Sequence, residues 1–99
     1  MIDFLNYVGI DKKTIMEMKQ RYTESDLYDL ASNQDNCLKI IEYFKNINIK
    51  NINILLINEL DLFLLTFEEM IKKIAHFNIP IFVDAINNDY LAIEEIYNV

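Results

Sequence analysis

The sequence predicts an all-α fold, a compact stack of about seven or eight short helices in a single domain that spans residues 1–99. Apolar residues recur at three- and four-residue intervals in one segment after another, as on one face of a helix. One Gly and one Pro are too few for a turn-rich β-sandwich. Over half of the residues, 53%, are apolar, which is enough to fill a core in a chain of this length.

Four helices are predicted in the N-terminal half, and polar residues before them are the expected caps. The helices cover residues 2–8, 12–22, 27–31 and 37–47. Asp11 is the expected cap of the second helix and Ser25 that of the third. Asp35 or Asn36 is expected to begin the fourth helix, whose apolar face comprises Leu38, Ile40, Ile41, Tyr43, Phe44 and Ile47.

A central helix is predicted to follow Asn51 and to run to about residue 58. Its residues are apolar almost all round, which is typical of a helix buried on every side. A strand over residues 52–57 is the alternative, because β-branched residues are frequent there. The helix is preferred, since the sequence offers no second strand for pairing.

Residues 66–77 carry the clearest helical pattern in the sequence. The apolar residues of this stripe are Phe67, Met70, Ile71, Ile74 and Phe77. Thr66 and Glu69 fit a capping box, in which each side chain bonds an unpaired amide at the start of the helix. Glu68 with Lys72 and Glu69 with Lys73 have the spacing of favourable ion pairs.

Two further helices are predicted near the C-terminal end of the sequence. Pro80 suits the first turn of a helix that runs to about residue 86. Asn88 or Asp89 is expected to cap a last helix that runs through residue 97.

Three helix junctions share one pattern, which predicts two to three irregular helical repeats. Gly9, Asn48 and Asn78 each follow an apolar residue and precede Ile, at spacings of 39 and 30 residues. Gly and Asn tolerate the left-handed conformation that ends a helix, and the following Ile is expected to fold back onto the last turn. Periods of this length are typical of stacked helical repeats.

Residues 38–74 (LKIIEYFKNINIKNINILLINELDLFLLTFEEMIKKI) resemble the repeat of the mitochondrial transcription termination factor family. The resemblance extends to about two-thirds of the chain and implies stacked triplets of short helices, which in many members act on nucleic acid. The family usually has a proline after its second helix, whereas this sequence has Asp61 there and Arg21–Tyr22 in the first unit. Nucleic-acid-binding members have a basic concave face, whereas this chain is acidic.

The charge is distributed unevenly along the chain. The net charge is −7, with −1 in residues 1–50 and −6 in residues 51–99. Such a negative field repels nucleic acids and anionic membrane surfaces. The basic residues Lys12, Lys13, Lys19 and Arg21 on the second helix are the candidate contacts in an alternative, nucleic-acid-binding function.

The sequence predicts a soluble, cytoplasmic protein. Cys37 is the single cysteine, so no disulfide framework within the chain is expected. The first residues lack the basic start and apolar stretch of a signal peptide. Polar residues interrupt the most apolar run, residues 52–67, so it is too short to span a membrane.

No arrangement of residues indicates an enzyme, a cofactor or a metal site. Cys37, close to a helix start, could have a lowered pKa, and His76 is the single histidine. Paired carboxylates such as Glu94 and Glu95 are adjacent in sequence and point in different directions on a helix. A hydrolase or transferase would need His76 beside a carboxylate or beside Cys37.

Six tyrosines are more than so small a core can hide, and tyrosine is favoured at protein interfaces. Tyr90, Ile93 and Tyr97 form a stripe on the last helix and are the candidate protein interface. The alternative is that this stripe packs against the preceding helices as part of the core. We therefore expect a small acidic, non-enzymatic adaptor, of the kind that mobile elements and phages often encode. A protein partner is expected, and self-association is an open alternative.

Overall fold

The computed structural model describes all residues from Met1 to Val99, and its regular elements are all helices. The six α-helices are α1 (Lys12–Arg21), α2 (Glu24–Ser32), α3 (Gln34–Asn46), α4 (Ile52–Asn58), α5 (Phe67–Ile74) and α6 (Ile79–Asn88). The three 3-10 helices are η1 (Asp3–Val8), η2 (Leu60–Leu64) and η3 (Tyr90–Asn98). The all-α prediction is confirmed, and the strand alternative for residues 52–57 is wrong because they form α4.

Three of the expected helix caps are present. The Asp11 carboxylate accepts a hydrogen bond from the Thr14 amide at 2.8 Å and begins α1. Thr66 and Glu69 form the predicted capping box of α5, with bonds of 3.0 and 3.3 Å. Asp89 caps the last helix, which is a 3-10 helix. These caps act within one turn, so the local sequence is sufficient to predict them.

The expected caps of α2 and α3 are wrong. Thr23 begins α2 and forms a capping box with Asp26, so Ser25 lies inside the helix. Asn33 precedes α3 without a side-chain cap, and Asp35 and Asn36 lie in its first turn. A Thr–x–x–Asp spacing satisfies two amides at once, which explains why the helix begins at Thr23.

Asn36 and Asn51 join segments that are distant in sequence instead of capping helices. The Asn36 side chain accepts from the Phe67 amide at 2.6 Å and donates to the Leu65 carbonyl. The Asn51 side-chain nitrogen donates to the Ile86 carbonyl at 2.8 Å, so the expected cap by Asn51 is also wrong. Both asparagines thereby pair backbone groups at the ends of other elements.

The turns at Gly9 and Asn48 have the same conformation. Their φ angles are +82° and +73°, in the left-handed region. The following residues, Ile10 and Ile49, are buried and donate their amides to the carbonyls five residues earlier, at 3.2 and 2.9 Å. This is the helix-ending turn that the sequence predicts at these two junctions.

The expected third turn of this kind, at Asn78, is wrong. Asn78 has a φ of −71°, and its side chain accepts from the Ile81 amide to cap α6. Helix α5 has already ended at Ile74, three residues earlier than Phe77. Asn78 therefore begins a helix instead of ending one, and Pro80 lies in the first turn of α6 as predicted.

The core is one cluster of 26 buried apolar residues, and α3 contributes its whole inner face to it. Elements η1, α2, η2 and α5 pack against α3, while α1 packs against α4 and α6 against η3. The rings of Phe44 and Phe63 meet edge to face, with centroids 5.8 Å apart. Helix α4 is not buried all round as expected, because Ile54 is 43% exposed.

The expected ion pairs on α5 are absent. No Lys on this helix lies within 4.0 Å of a carboxylate. Glu69 is engaged in the capping box, and Lys73 donates to the backbone oxygen of Val99 at 2.6 Å. Exposed pairs of this kind contribute little free energy, so a cap or a backbone acceptor outcompetes them.

No helix combines the length and the apolar character that crossing a bilayer requires.

Replacing Asn36 by Ala is expected to lower the free energy of unfolding by about 1–3 kcal/mol. The substitution leaves the Phe67 amide and the Leu65 carbonyl without their partner. Urea unfolding at neutral pH measures the change. Asn46→Ala at the exposed end of the same helix is the matched control, and an equal loss in both variants would refute the role of Asn36.

Candidate protein-binding groove

An apolar groove with a volume of about 230 Å³ lies between α6 and η3. Five of its seven lining residues are apolar. The lining residues are Phe77, Asn78, Ile81, Phe82, Ala85, Ala92 and Glu95. This surface is named the α6–η3 groove below.

The end of α5 and the start of α6 build one end of the groove. Because α5 ends at Ile74, Phe77 lies in the connection, where its ring stacks on that of Phe82 with centroids 4.0 Å apart and planes 8° apart. Asn78 and Pro80 then fix the first turn of α6. The small side chains of Ala85 and Ala92 leave the space between the two helices open.

Ile81 is the most exposed apolar residue of the groove, at 69%. It lies opposite the buried face of α6, to which Val83 and Ile86 belong. Leu91, at the start of η3, is also exposed. Exposed apolar side chains that adjoin an apolar depression are typical of a protein-binding surface.

Carboxylates lie beside the groove and none of its lining residues is basic, while Lys50 shares a neighbouring depression with Asp84. Glu95 lines it, and Asp84 is exposed one turn along α6 from Ile81. Neither carboxylate lies within 4.0 Å of a cationic group. The sequence has no Lys or Arg after Lys73. The groove is therefore an apolar site in an acidic surface.

Tyr90, Ile93 and Tyr97, the candidate protein interface, do not form one exposed stripe. Ile93 is fully buried, Tyr90 is half-buried and Tyr97 is 42% exposed. The reason is that η3 is a 3-10 helix, in which every third residue shares a face. Tyr90, Ile93 and Ile96 therefore face the core. For Ile93 this is the alternative stated above, in which the stripe packs against the preceding helices.

The candidate nucleic-acid contacts divide into two pairs. All four side chains are exposed, but Lys19 lies 3.4 Å from the Asp3 carboxylate, and Arg21 donates to the side-chain oxygen of Asn58. Lys12 and Lys13 have no carboxylate within 4.0 Å. The free positive charge of α1 is therefore at its N-terminal end.

Cys37 cannot act as the activated thiol that its position near a helix start suggests. Its side chain is fully buried, and this burial raises the pKa of the thiol to about 12. A buried, protonated thiol is a weak nucleophile. His76 is exposed in the connection after α5.

A cluster of acidic groups and tyrosines, missed by the sequence analysis, joins the end of α4 to η3. The Tyr97 hydroxyl donates to the Glu59 carboxylate at 3.4 Å. Burial, followed by the hydrogen bond and charge of Glu94 and the charge of Asp61, raises the pKa of Glu59 from its ordinary value of 4.5 to about 7. Glu94 and Tyr97 lie 35 and 38 positions after Glu59, which explains why no local pattern reveals the cluster.

Stability is expected to fall between about pH 4.5 and about pH 7 because of Glu59. An acid with a raised pKa is protonated in the folded protein over this interval and ionised in the unfolded chain, so unfolding releases a proton. The free energy of unfolding then decreases as the pH rises. Urea unfolding at about pH 5 and about pH 8 measures this change.

Glu59→Gln is expected to remove most of this pH dependence, whereas Glu42→Gln, at an exposed site on α3, is expected to retain it. If the free energy of unfolding of the Glu59→Gln variant changed with pH as much as that of the original protein, Glu59 would not be the group responsible.

The sequence analysis also missed the groove, although one signal for it exists. Residues 79–83 (IPIFV) are apolar without interruption. One face of a helix buries three or four of every seven residues, so a continuous run leaves at least one apolar residue outside. That residue is Ile81.

Comparisons with protein-family models, with curated proteins and with solved structures find no match to this chain.

Proposed function

We propose that the protein is a non-enzymatic interaction module whose α6–η3 groove binds an apolar side chain of a second polypeptide chain. The observation that carries the proposal is the exposure of Ile81, at 69%, in a depression of which five of the seven lining residues are apolar. The groove volume of about 230 Å³ suits one large side chain. Burying such a side chain stabilises a complex by about 1.5–3 kcal/mol.

The way in which the groove is built also supports this function. Two packed helices and the Phe77–Phe82 stack form its walls, so the surface exists before a partner binds. A preformed pocket loses little conformational entropy on binding. Pockets of this kind accept the apolar anchor residues that dominate the energy of protein interfaces.

Nucleic-acid binding through Lys12, Lys13, Lys19 and Arg21 stays an alternative prediction. The two lysines at the start of α1 are free, which favours it, whereas Lys19 and Arg21 are engaged within the molecule. The net charge of −7 also opposes the approach of a polyanion.

We also infer that the scaffold consists of helical repeats, as the resemblance to the mitochondrial transcription termination factor family implies. The equivalent turns at Gly9 and Asn48, 39 residues apart, support this inference. Hydrogen bonds between residues about one repeat apart support it further: Lys45 donates to the Val8 carbonyl, and the Asn87 side chain donates to the Asn48 carbonyl at 3.0 Å.

Affinity capture from the native host, with and without nuclease, tests the interaction function. The baits are the tagged full chain and the variants Ile81→Asp and Ile54→Asp, the latter at an exposed isoleucine on α4. We expect the full chain and the Ile54→Asp variant to retain the same polypeptide both with and without nuclease, and the Ile81→Asp variant to lose it.

Retention by Ile81→Asp would exclude the groove as the binding site. Loss of the captured polypeptide on nuclease treatment would favour the nucleic-acid alternative. Circular dichroism of each bait verifies that the fold is intact, which is expected because both isoleucines are exposed.

A further inference from the structure

We propose that the α6–η3 groove binds helix α1 of a second copy of this chain, with Met16 as the side chain that enters it. This inference rests on the proposed function, because it names the occupant of the same groove.

Helix α1 carries an apolar side chain in a basic surrounding. Met16 is 59% exposed. Lys12 and Lys13 lie four and three positions before it, and Lys19 lies three positions after it, so all three are its neighbours on the helix surface. Methionine is unbranched and adapts to irregular apolar pockets. The groove volume of about 230 Å³ is large enough for this side chain.

The charges around Met16 and around the groove are opposite, and among them only Lys19 is paired within one molecule, with Asp3 at 3.4 Å. Lys12 and Lys13 have no carboxylate within 4.0 Å, and Asp84 and Glu95 have no cation within that distance. Seven of the nine basic residues lie in residues 1–50, whereas none follows Lys73. Contact between the two surfaces would therefore pair charges around a buried apolar side chain.

The acidic residues beside α1 reduce the positive charge around Met16 without cancelling it, because Asp11 contributes one negative charge and Lys12 and Lys13 contribute two positive charges. Asp11 is engaged in capping the helix. Glu17 lines a separate depression together with Gln20, Arg21 and Ile57. The side of α1 that carries Lys12, Lys13 and Met16 therefore presents positive charge.

The same charges determine which surfaces meet. Two α1 surfaces repel each other, and so do two grooves, so the contact must join unlike surfaces of two molecules. Such a contact repeats head to tail, or it forms twice in a two-fold dimer. In either arrangement each molecule contributes both a groove and a Met16.

The test measures the mass of the protein in solution by sedimentation velocity over a range of concentrations. We expect the full chain to assemble, and Met16→Asp and Ile81→Asp to assemble roughly 10- to 100-fold more weakly. An equimolar mixture of the two variants is expected to assemble more tightly than either variant alone, because one intact contact forms between the groove of one variant and Met16 of the other. Ile54→Asp is the matched control and is expected to assemble like the full chain.

Salt provides a second measurement. Raising the salt from about 50 mM to about 500 mM is expected to weaken the assembly, since the Debye length shortens and the charges around Met16 are screened. An assembly that does not respond to salt would overturn the charge pairing and with it the choice of α1 as the occupant.

A full chain that is monomeric at every concentration, or a variant mixture that assembles no more tightly than either variant alone, would overturn the proposal. If the monomeric chain still captures a different protein in a manner that requires Ile81, the proposed function stands and only the second copy is wrong. If nothing is captured either, both fail. The urea midpoint of each variant shows whether its fold is intact.

Discussion

Burial of the apolar face of α3 is the interaction on which the rest of the structure depends. Elements from both halves of the chain, η1, α2, η2 and α5, pack against this helix. None of them exceeds nine residues, and helices that short are unstable alone in water. Their conformation is therefore maintained by packing on Phe44 and its buried neighbours. Without α3, η1, α2 and η2 would keep only their smaller contacts with α1, α4 and each other, and α5 would lose its main partner.

Short helices expose many unpaired backbone groups at their ends, and side chains from distant elements satisfy several of them. Asn36 bonds the backbone between η2 and α5, and the Tyr22 hydroxyl donates to the Leu56 carbonyl at 2.7 Å. Asn87 accepts from the Lys50 amide at 2.8 Å. The frequent asparagines of this sequence thus connect successive helix pairs as well as ending helices.

The groove and the basic surface of α1 are consequences of the same arrangement. Because α5 ends early, Phe77 is free to stack on Phe82, and α6 turns Ile81 outward. On α1, Thr14, Ile15 and Met18 face the core, which leaves Met16 outside among lysines. The exposed lysines Lys12 and Lys13 of α1 and the carboxylates Asp84 and Glu95 of α6 and η3 thereby lie on separate elements.

The sequence by itself determined the helical class, the positions of most helices and the caps formed by Asp11, Thr66 and Asp89, because periodicity and capping act within one or two turns. It also indicated the turns at Gly9 and Asn48, where the left-handed backbone favours those residues. Tertiary structure alone decided that Ile93 faces the core, that Cys37 is buried, that Glu59 meets Tyr97, and that Ile81 is left beside a groove. These outcomes depend on contacts between residues far apart in the chain and on the three-residue period of η3, which no local pattern encodes.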